Sequence, residues 1–219
     1  MWLNVQVYVK SFLYIQSISR VDQSTMADAA GPASTMRAVV RGWTGGMSLD
    51  PSYKTPSCGH SEVLLKVKAG AINPVDYKAG RFLGPVVGLD VAGVVEKVGD
   101  KVTQLKVGDE VFGSCAGSLA DYAVTKPESL GLKPAALSFA EAAAMPCAYL
   151  TSLQSIRDAG GLKEGGRVLV LGASGGCGVA AVQIAKAMGA GLHQHPSFKS
   201  SLPFVRMPVL MLALKLIPV

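Results

Sequence analysis

The chain has 219 residues, 49% of them hydrophobic and 16% charged, with a formal net charge of +6. That composition suits a globular chain with a real core and excludes a disordered one. Basic residues form no cluster interleaved with aromatics, which argues against nucleic-acid binding. No uncharged apolar run is long enough for an integral membrane span.

The excess charge is uneven. Residues 1–35 carry Lys10 and Arg20 against Asp22 and Asp28, while 191–219 carry Lys199, Arg206 and Lys215 with no acid. Cys58, Cys115, Cys147 and Cys177 have neither metal-ligand spacing nor the density of a disulfide framework. They read as reduced thiols, as in the cytoplasm.

In chain order, residues 1–35 read as a disordered N-terminal extension. They lack the small-residue cleavage site of a secretory signal. The acid-free start is compatible with transit to an organelle, chloroplast or mitochondrion. From Met36 the pattern is β. MRAVVRGW and EVLLKVKAGAIN read as strands, with Leu65 and Val67 pointing one way and Lys66 and Lys68 the other. VVGLDVAGVVEKVGD is a strand interrupted by Gly88 and Gly93, the mark of a bulge or a close backbone approach. LKVGDEVFG turns at Gly108-Asp109, and the strand within SLADYAVTKPESL stops at Pro127. Short strands with frequent turn signals predict a small barrel or sandwich.

The register changes at Ser138. Ser138 and Glu141 form the S-x-x-E pattern of a capping box, Pro146 breaks or kinks the helix, and Gly160-Gly161 stops it. A buried strand over Val168–Leu171 follows, then a glycine loop and a helix with Ala181, Ile184, Ala185 and Met188 on one face. The dinucleotide fingerprint is G-x-G-x-x-G after a strand and opening a helix. Ala173-Ser174-Gly175-Gly176-Cys177-Gly178 matches it with alanine for the first glycine. Gly172 supplies the tight turn, Gly175 admits a pyrophosphate, and Gly178 lets the helix sit on the strand. The free N–H groups opening the helix would receive phosphate charge. A ligand-free βα turn remains the alternative. GLHQHPSFKSSLP, which follows, has no β-branched run and no acid, and reads as a solvated loop. An interfacial helix over 202–219 would be interrupted by Pro203, Pro208 and Pro218.

Six ordered blocks then carry a resemblance: AGAINPVDYKAG (69–80), VVGLDVAGVVEKVGDKV (86–102), KVGDEVFG (106–113), YAVTKPESL (122–130), LSFAEAAAMPCAYLTSLQSI (137–156) and GRVLVLGASGGCGVAAVQIAKAMGA (166–190). Over residues 36–190 the chain resembles a zinc-independent medium-chain dehydrogenase/reductase of the quinone oxidoreductase type, an enoyl reductase-like family. The resemblance implies an α/β plus β fold: a GroES-like β-barrel catalytic domain over 36–135, then the first part of a Rossmann nucleotide-binding domain over 136–190. Residues 191–219 resemble nothing in the family and read as an atypical C-terminal tail.

The implied chemistry is hydride transfer from NADPH to a small-molecule quinone or enone, impaired in this chain by the missing half of the cofactor domain. An oligomer of identical subunits is in keeping with the family. The alternative is a non-enzymatic truncated isoform or gene-model fragment, pairing with full-length subunits. Zinc-dependent relatives carry cysteine where this chain has Asn73, and Gly-His-Glu where it has Gly88-Leu89-Asp90, so no metal site is expected. By the resemblance Asn73 lies near the nicotinamide, Thr151 contacts the cofactor, and Tyr77 is a proton-donor candidate. Each also has a structural reading: Asn73 shaping a turn before Pro74, Thr151 bonding back to its helix, Tyr77 only packing. Asp76 and Asp90 are expected to cap turns or pair with basic residues. The strand at Val168–Leu171 is expected to present an edge, and the Ile184/Met188 face to lose its partners.

Overall fold

The computed structural model describes residues 32–42, 45–78, 80–194 and 214–217. The expectations for the N-terminal extension, and for most of the 191–219 segment, lie outside these residues.

Strand β1 (Thr35–Arg41) pairs antiparallel with β2 (Met47–Lys54) in a two-stranded ribbon. β3 (Val63–Ala71) is followed by a short helix α1 (Pro74–Lys78), then β4 (Asp90–Val98), β5 (Glu110–Ser114), β6 (Tyr122–Thr125) and β7 (Leu130–Leu132). These five strands form one antiparallel sheet in the order β6-β3-β4-β5-β7. β1 is tied to the segment that precedes β6, since Val39 N–H donates to the Leu119 carbonyl and Asp121 N–H donates to the Arg37 carbonyl. The alternation read from the sequence has its physical cause here. Val63, Leu65, Val91, Val95, Val111 and Ala123 are buried together in one core. Gly93 pairs with Val67 beside a register shift, and a Cβ on it would lie 2.5 Å from the Lys66 carbonyl oxygen. The close backbone approach expected of that glycine is therefore present.

Helix α2 (Phe139–Ala143) begins with the expected capping box. Ser138 Oγ accepts from the Glu141 N–H, and Glu141 Oε2 accepts from the Ser138 N–H. Pro146 opens a separate helix, α3 (Pro146–Leu153), because it has no N–H to give to a preceding turn. A π-helical segment, Gln154–Ala159, continues α3 as far as Gly160.

Strand β8 (Arg167–Val170) leads through the glycine loop into α4 (Gly176–Ala187). Two expectations fail beyond it. Gly191–Gln194 is not a loop but a strand, β9, parallel to β8. β8 is not an edge either. It is central in a three-stranded sheet, with β10 (Leu214–Ile217) antiparallel on its other side. Backbone pairing decides the matter where side-chain propensity does not. Gly191 N–H donates to the Gly166 carbonyl, which sets the new strand alongside β8. Ile184 and Met188 keep their partners and pack against the core of Ile156, Val168, Val170, Ala181 and Ala185. Among the described residues, no helix is long and apolar enough to cross a membrane.

Candidate active site

The glycine loop has the geometry of a tight βα turn. Gly172 adopts φ +71°, a conformation that L side chains rarely take. A Cβ on Gly178 would lie 2.1 Å from the Gly172 carbonyl oxygen and 2.7 Å from Ala173 Cα. Only a glycine at 178 lets α4 rest on the end of the strand. A Cβ on Gly175 would meet nothing closer than 3.6 Å, and no side chain caps the first turn of α4. The opening N–H groups of a helix have no intrahelical partner, so those of Gly176, Cys177 and Gly178 suit an anion. Ala173 and Ser174 form the turn between Gly172 and Gly175.

At the other end stands a buried polar cluster. Asp90 is 1% exposed and Asp76 is fully buried. Asp90 Oδ2 accepts from Asn73 Nδ2 at 2.8 Å, and both Asp90 oxygens accept from the Cys147 N–H, at 3.0 and 3.1 Å. Asp76 Oδ2 accepts from the Asn73 N–H at 2.6 Å. Arg41 Nη1 donates to the Asp76 carbonyl. Burial pushes the Asp90 carboxyl up to about 6, and Asp76 pushes it the same way, against the pull of the N–H donors on Asn73 and Cys147. Burial also raises Asp76, offset by the Asn73 N–H and the Arg41 charge.

The expectation for these two acids thus holds for Asp76, which closes the turn at Asn73 with Arg41 alongside. For Asp90 the capping branch holds, since it accepts the Cys147 N–H in the first turn of α3, and its other partner among the described residues is the Asn73 amide rather than a base. Asn73 has the turn-shaping character expected of it, and its carboxamide in addition binds Asp90. Its Oδ1 makes no hydrogen bond among the described residues.

One hydrogen-bonded path joins this cluster to the glycine loop. Asp90 holds Cys147 at the start of α3. Five residues on, Ser152 Oγ lies 2.8 Å from the carbonyls of both Ala148 and Cys177, the latter in the first turn of α4. Ser152 is fully buried. Sequence reasoning chose its neighbour Thr151, whose half-buried side chain has no hydrogen-bond partner among the described residues. It is Ser152 and Ser155 that bond back to the helix. Adjacent helical residues point about 100° apart, and the burial of Ser152 is what separates them.

Tyr77 stands on the exposed side of α1. It is 59% exposed, with Lys78 Nζ 6.0 Å from its ring. Phe82, five residues on, is 98% exposed. The Cys147 and Cys177 thiols are both shifted upward from the ordinary thiol value. Burial raises both, Cys147 to about 11 with further repulsion from Asp90. A cleft of about 210 Å³ lined by Met36, Tyr53, Leu83, Val86, Tyr122 and Val124 contains none of the predicted site residues.

An antiparallel sheet feeding through two helices into a glycine-loop βα unit is a β-domain joined to the start of an α/β domain. Comparison with known proteins shows what the chain is similar to. Residues 59–155 match the alcohol dehydrogenase GroES-like domain. The 2-methylene-furan-3-one reductase of Solanum lycopersicum is 42% identical over 158 residues, covering 64% of this chain and 40% of that protein. The NADPH-dependent alkenal/one oxidoreductase, chloroplastic, of Arabidopsis thaliana is 37% identical over 206 residues, covering 83% of this chain and 53% of that protein. The structure of the quinone oxidoreductase from Coxiella burnetii superposes with a TM-score of 0.65 at 31% identity, over 73% of this chain and 56% of that one. Over residues 59–155 the chain carries an alcohol dehydrogenase GroES-like domain, followed by part of a Rossmann domain, and over this span it is similar to quinone oxidoreductases and alkenal/one oxidoreductases. It spans about half the length of the curated relatives it matches.

Proposed function

We propose that the chain carries the NADPH-binding and hydride-transfer machinery of a quinone or enone reductase. The observation that carries this reading is the loop at Gly172–Gly178, where the absent Cβ of Gly178 sets an uncapped helix start against the strand end. The α4 amides would take the pyrophosphate charge, with Gly175 leaving room for its approach. Ala173, Ser174, Gly176 and Cys177 complete that turn. Asn73 would present Oδ1 to the nicotinamide carboxamide, and Thr151, free of a described partner, would face the cofactor from α3. When bound, NADPH supplies the hydride.

The protein's part is binding, orientation and a proton. Tyr77 Oη, exposed on α1, is the proton-donor candidate. The reading is zinc-independent on residue types, since Asn73 and Gly88-Leu89-Asp90 supply no thiolate or imidazole. Polarisation of the substrate carbonyl would then fall to hydrogen-bond donors. The substrate class follows the Solanum and Arabidopsis relatives, and a cytoplasmic or plastid location belongs to the same proposal.

Titration of the purified chain with NADPH, followed by cofactor fluorescence and thermal shift, tests it. Saturable binding with a rise in melting temperature is expected. No binding at millimolar cofactor would defeat it.

A further inference from the structure

Asn73 and Asp90 are 17 positions apart, yet their side chains meet in a buried setting with a defined donor and acceptor. An ionised carboxylate only accepts hydrogen bonds. While Asp90 is charged, the Asn73 carboxamide must therefore turn its Nδ2 toward it. Oδ1 is then the end left over, and that end is an acceptor. A protonated Asp90 can donate instead. Its hydroxyl can then take Oδ1, and the amide can turn over to offer Nδ2 outward. The same carboxylate receives the Cys147 N–H, so it stays fixed relative to α3 whichever way the amide lies.

We propose that Asp90 is a positioning residue that sets the hydrogen-bonding polarity of Asn73: ionised, it makes Asn73 an acceptor toward the ligand, and protonated, it lets Asn73 become a donor. The ligand group received in the ionised state is a primary carboxamide N–H, such as that of a nicotinamide. This last step rests on the cofactor reading above, whereas the amide orientation does not. Burial raises both Asp90 and Asp76, and the Asp90→Asn comparison below separates their effects on Asn73. Asp76 on α1 repels its charge, with Arg41 of β1 lying on the Asp76 side. Cys115, after β5, and Cys147 on α3 are neutral thiols, raised by burial to about 12 and about 11. The Asp90 carboxyl, at about 6, lies within reach of a neutral-pH titration.

Two measurements on the full chain test this. In the first, the Asn73 side-chain amide is followed by nitrogen-15 NMR without cofactor, its resonance assigned by its loss in Asn73→Ser. It is expected to shift with a midpoint near 6 and to stay still in Asp90→Asn. An amide unmoved between about pH 5 and about pH 8 in the wild type, or moving alike in both proteins, overturns the proposal. In the second, NADPH affinity is measured over the same range. If only the ionised form accepts the carboxamide, affinity falls about tenfold from about pH 7 to about pH 5. A phosphate also titrates near pH 6, so the readout is the difference between wild type and Asp90→Asn. Identical pH profiles overturn the link to the ligand. A wild-type chain that binds no NADPH defeats the cofactor reading instead, and the amide titration still decides the role of Asp90.

Discussion

In the antiparallel sheet, β4 lies between β3 and β5, and its neighbours come from residues 63–71 and 110–114. In the small sheet, β8 lies between β9 and β10, drawn from residues 191–194 and 214–217. The first core is assembled from one stretch of chain containing Val63, Leu65, Val91 and Val111. The second is built on β8, α4 and the segment carrying Ile156 and Leu162, with Leu171 at 43% exposure where the glycine loop begins. The difference shows how tightly each half specifies itself. β4 is bonded on one edge by a strand that precedes it and on the other by one that follows, whereas both partners of β8 follow it. The elements of low local stability are therefore expected around β8, beside the glycine loop proposed to take the pyrophosphate.

The comparison breaks most visibly in the core. Leu65→Ala removes a fully buried side chain from the antiparallel sheet and should cost about 2–5 kcal/mol in denaturant unfolding. Val170→Ala, equally buried in β8, should cost about 2 kcal/mol. Hydrogen exchange should place that loss in β8 and α4 and leave β3 and β4 protected. Faster exchange spread over both sheets would mean that the two regions unfold as one unit.

The next effect is set by pH. The folded carboxyl of Asp90 is raised from 3.8 to about 6, so the folded state holds its proton more tightly than the unfolded chain does. The buried charge is thus a penalty that sets in as pH rises from about 4 to about 6 and stays constant above. Its size is roughly 3 kcal/mol as an upper bound. Wild-type stability should fall across that window relative to Asp90→Asn, read as the slope of stability against pH in the two proteins. Equal slopes would place the titration elsewhere. Holding a charge at such a cost fits a residue kept for orientation rather than for stability.

How much of this was legible in the sequence follows from the range of the interactions. The capping box, the break at Pro146, the close approach at Gly93 and the turn before Gly178 are local, because their causes lie within a few residues or in one missing Cβ. β2 was not foreseen because MSLDPSYK is polar and holds a proline, and its order comes from pairing with β1. β9 was missed for the same reason, with β8 supplying the register that Gly191–Gln194 does not encode by propensity. The part of Asp90 needed three segments to meet, since Asn73, Asp90 and Cys147 are far apart in the chain. Only their residue types, an amide and an acid where zinc-dependent relatives carry ligands, hinted at it.

A glycine substitution sharpens the contrast at the site. In Gly178→Ala the new Cβ meets backbone at 2.1 Å, so α4 must shift from the strand. About 1–3 kcal/mol should be lost, and the damage should stay on the small-sheet side. NADPH binding should fall more than tenfold, while far-ultraviolet and exchange signatures of the antiparallel sheet persist. Retained affinity would show that the pyrophosphate is held away from this turn.

The smallest effect separates two neighbouring hydroxyls. Ser152 Oγ has one hydrogen and two carbonyls at 2.8 Å, so its bond is shared between its own helix and the first turn of α4. Ser152→Ala removes that tie at a net cost of about 1 kcal/mol. Exchange of the amides at 176–179 should quicken, because the turn loses its anchor to α3. Thr151→Val deletes a hydroxyl with no described partner and should change stability by less than about 0.5 kcal/mol. If Thr151 faces the cofactor, it is nonetheless the one of the two whose loss lowers NADPH affinity at unchanged exchange of α4. The opposite pattern, affinity lost only with Ser152→Ala, would assign the contact to the order of the α4 turn and remove Thr151 from the site.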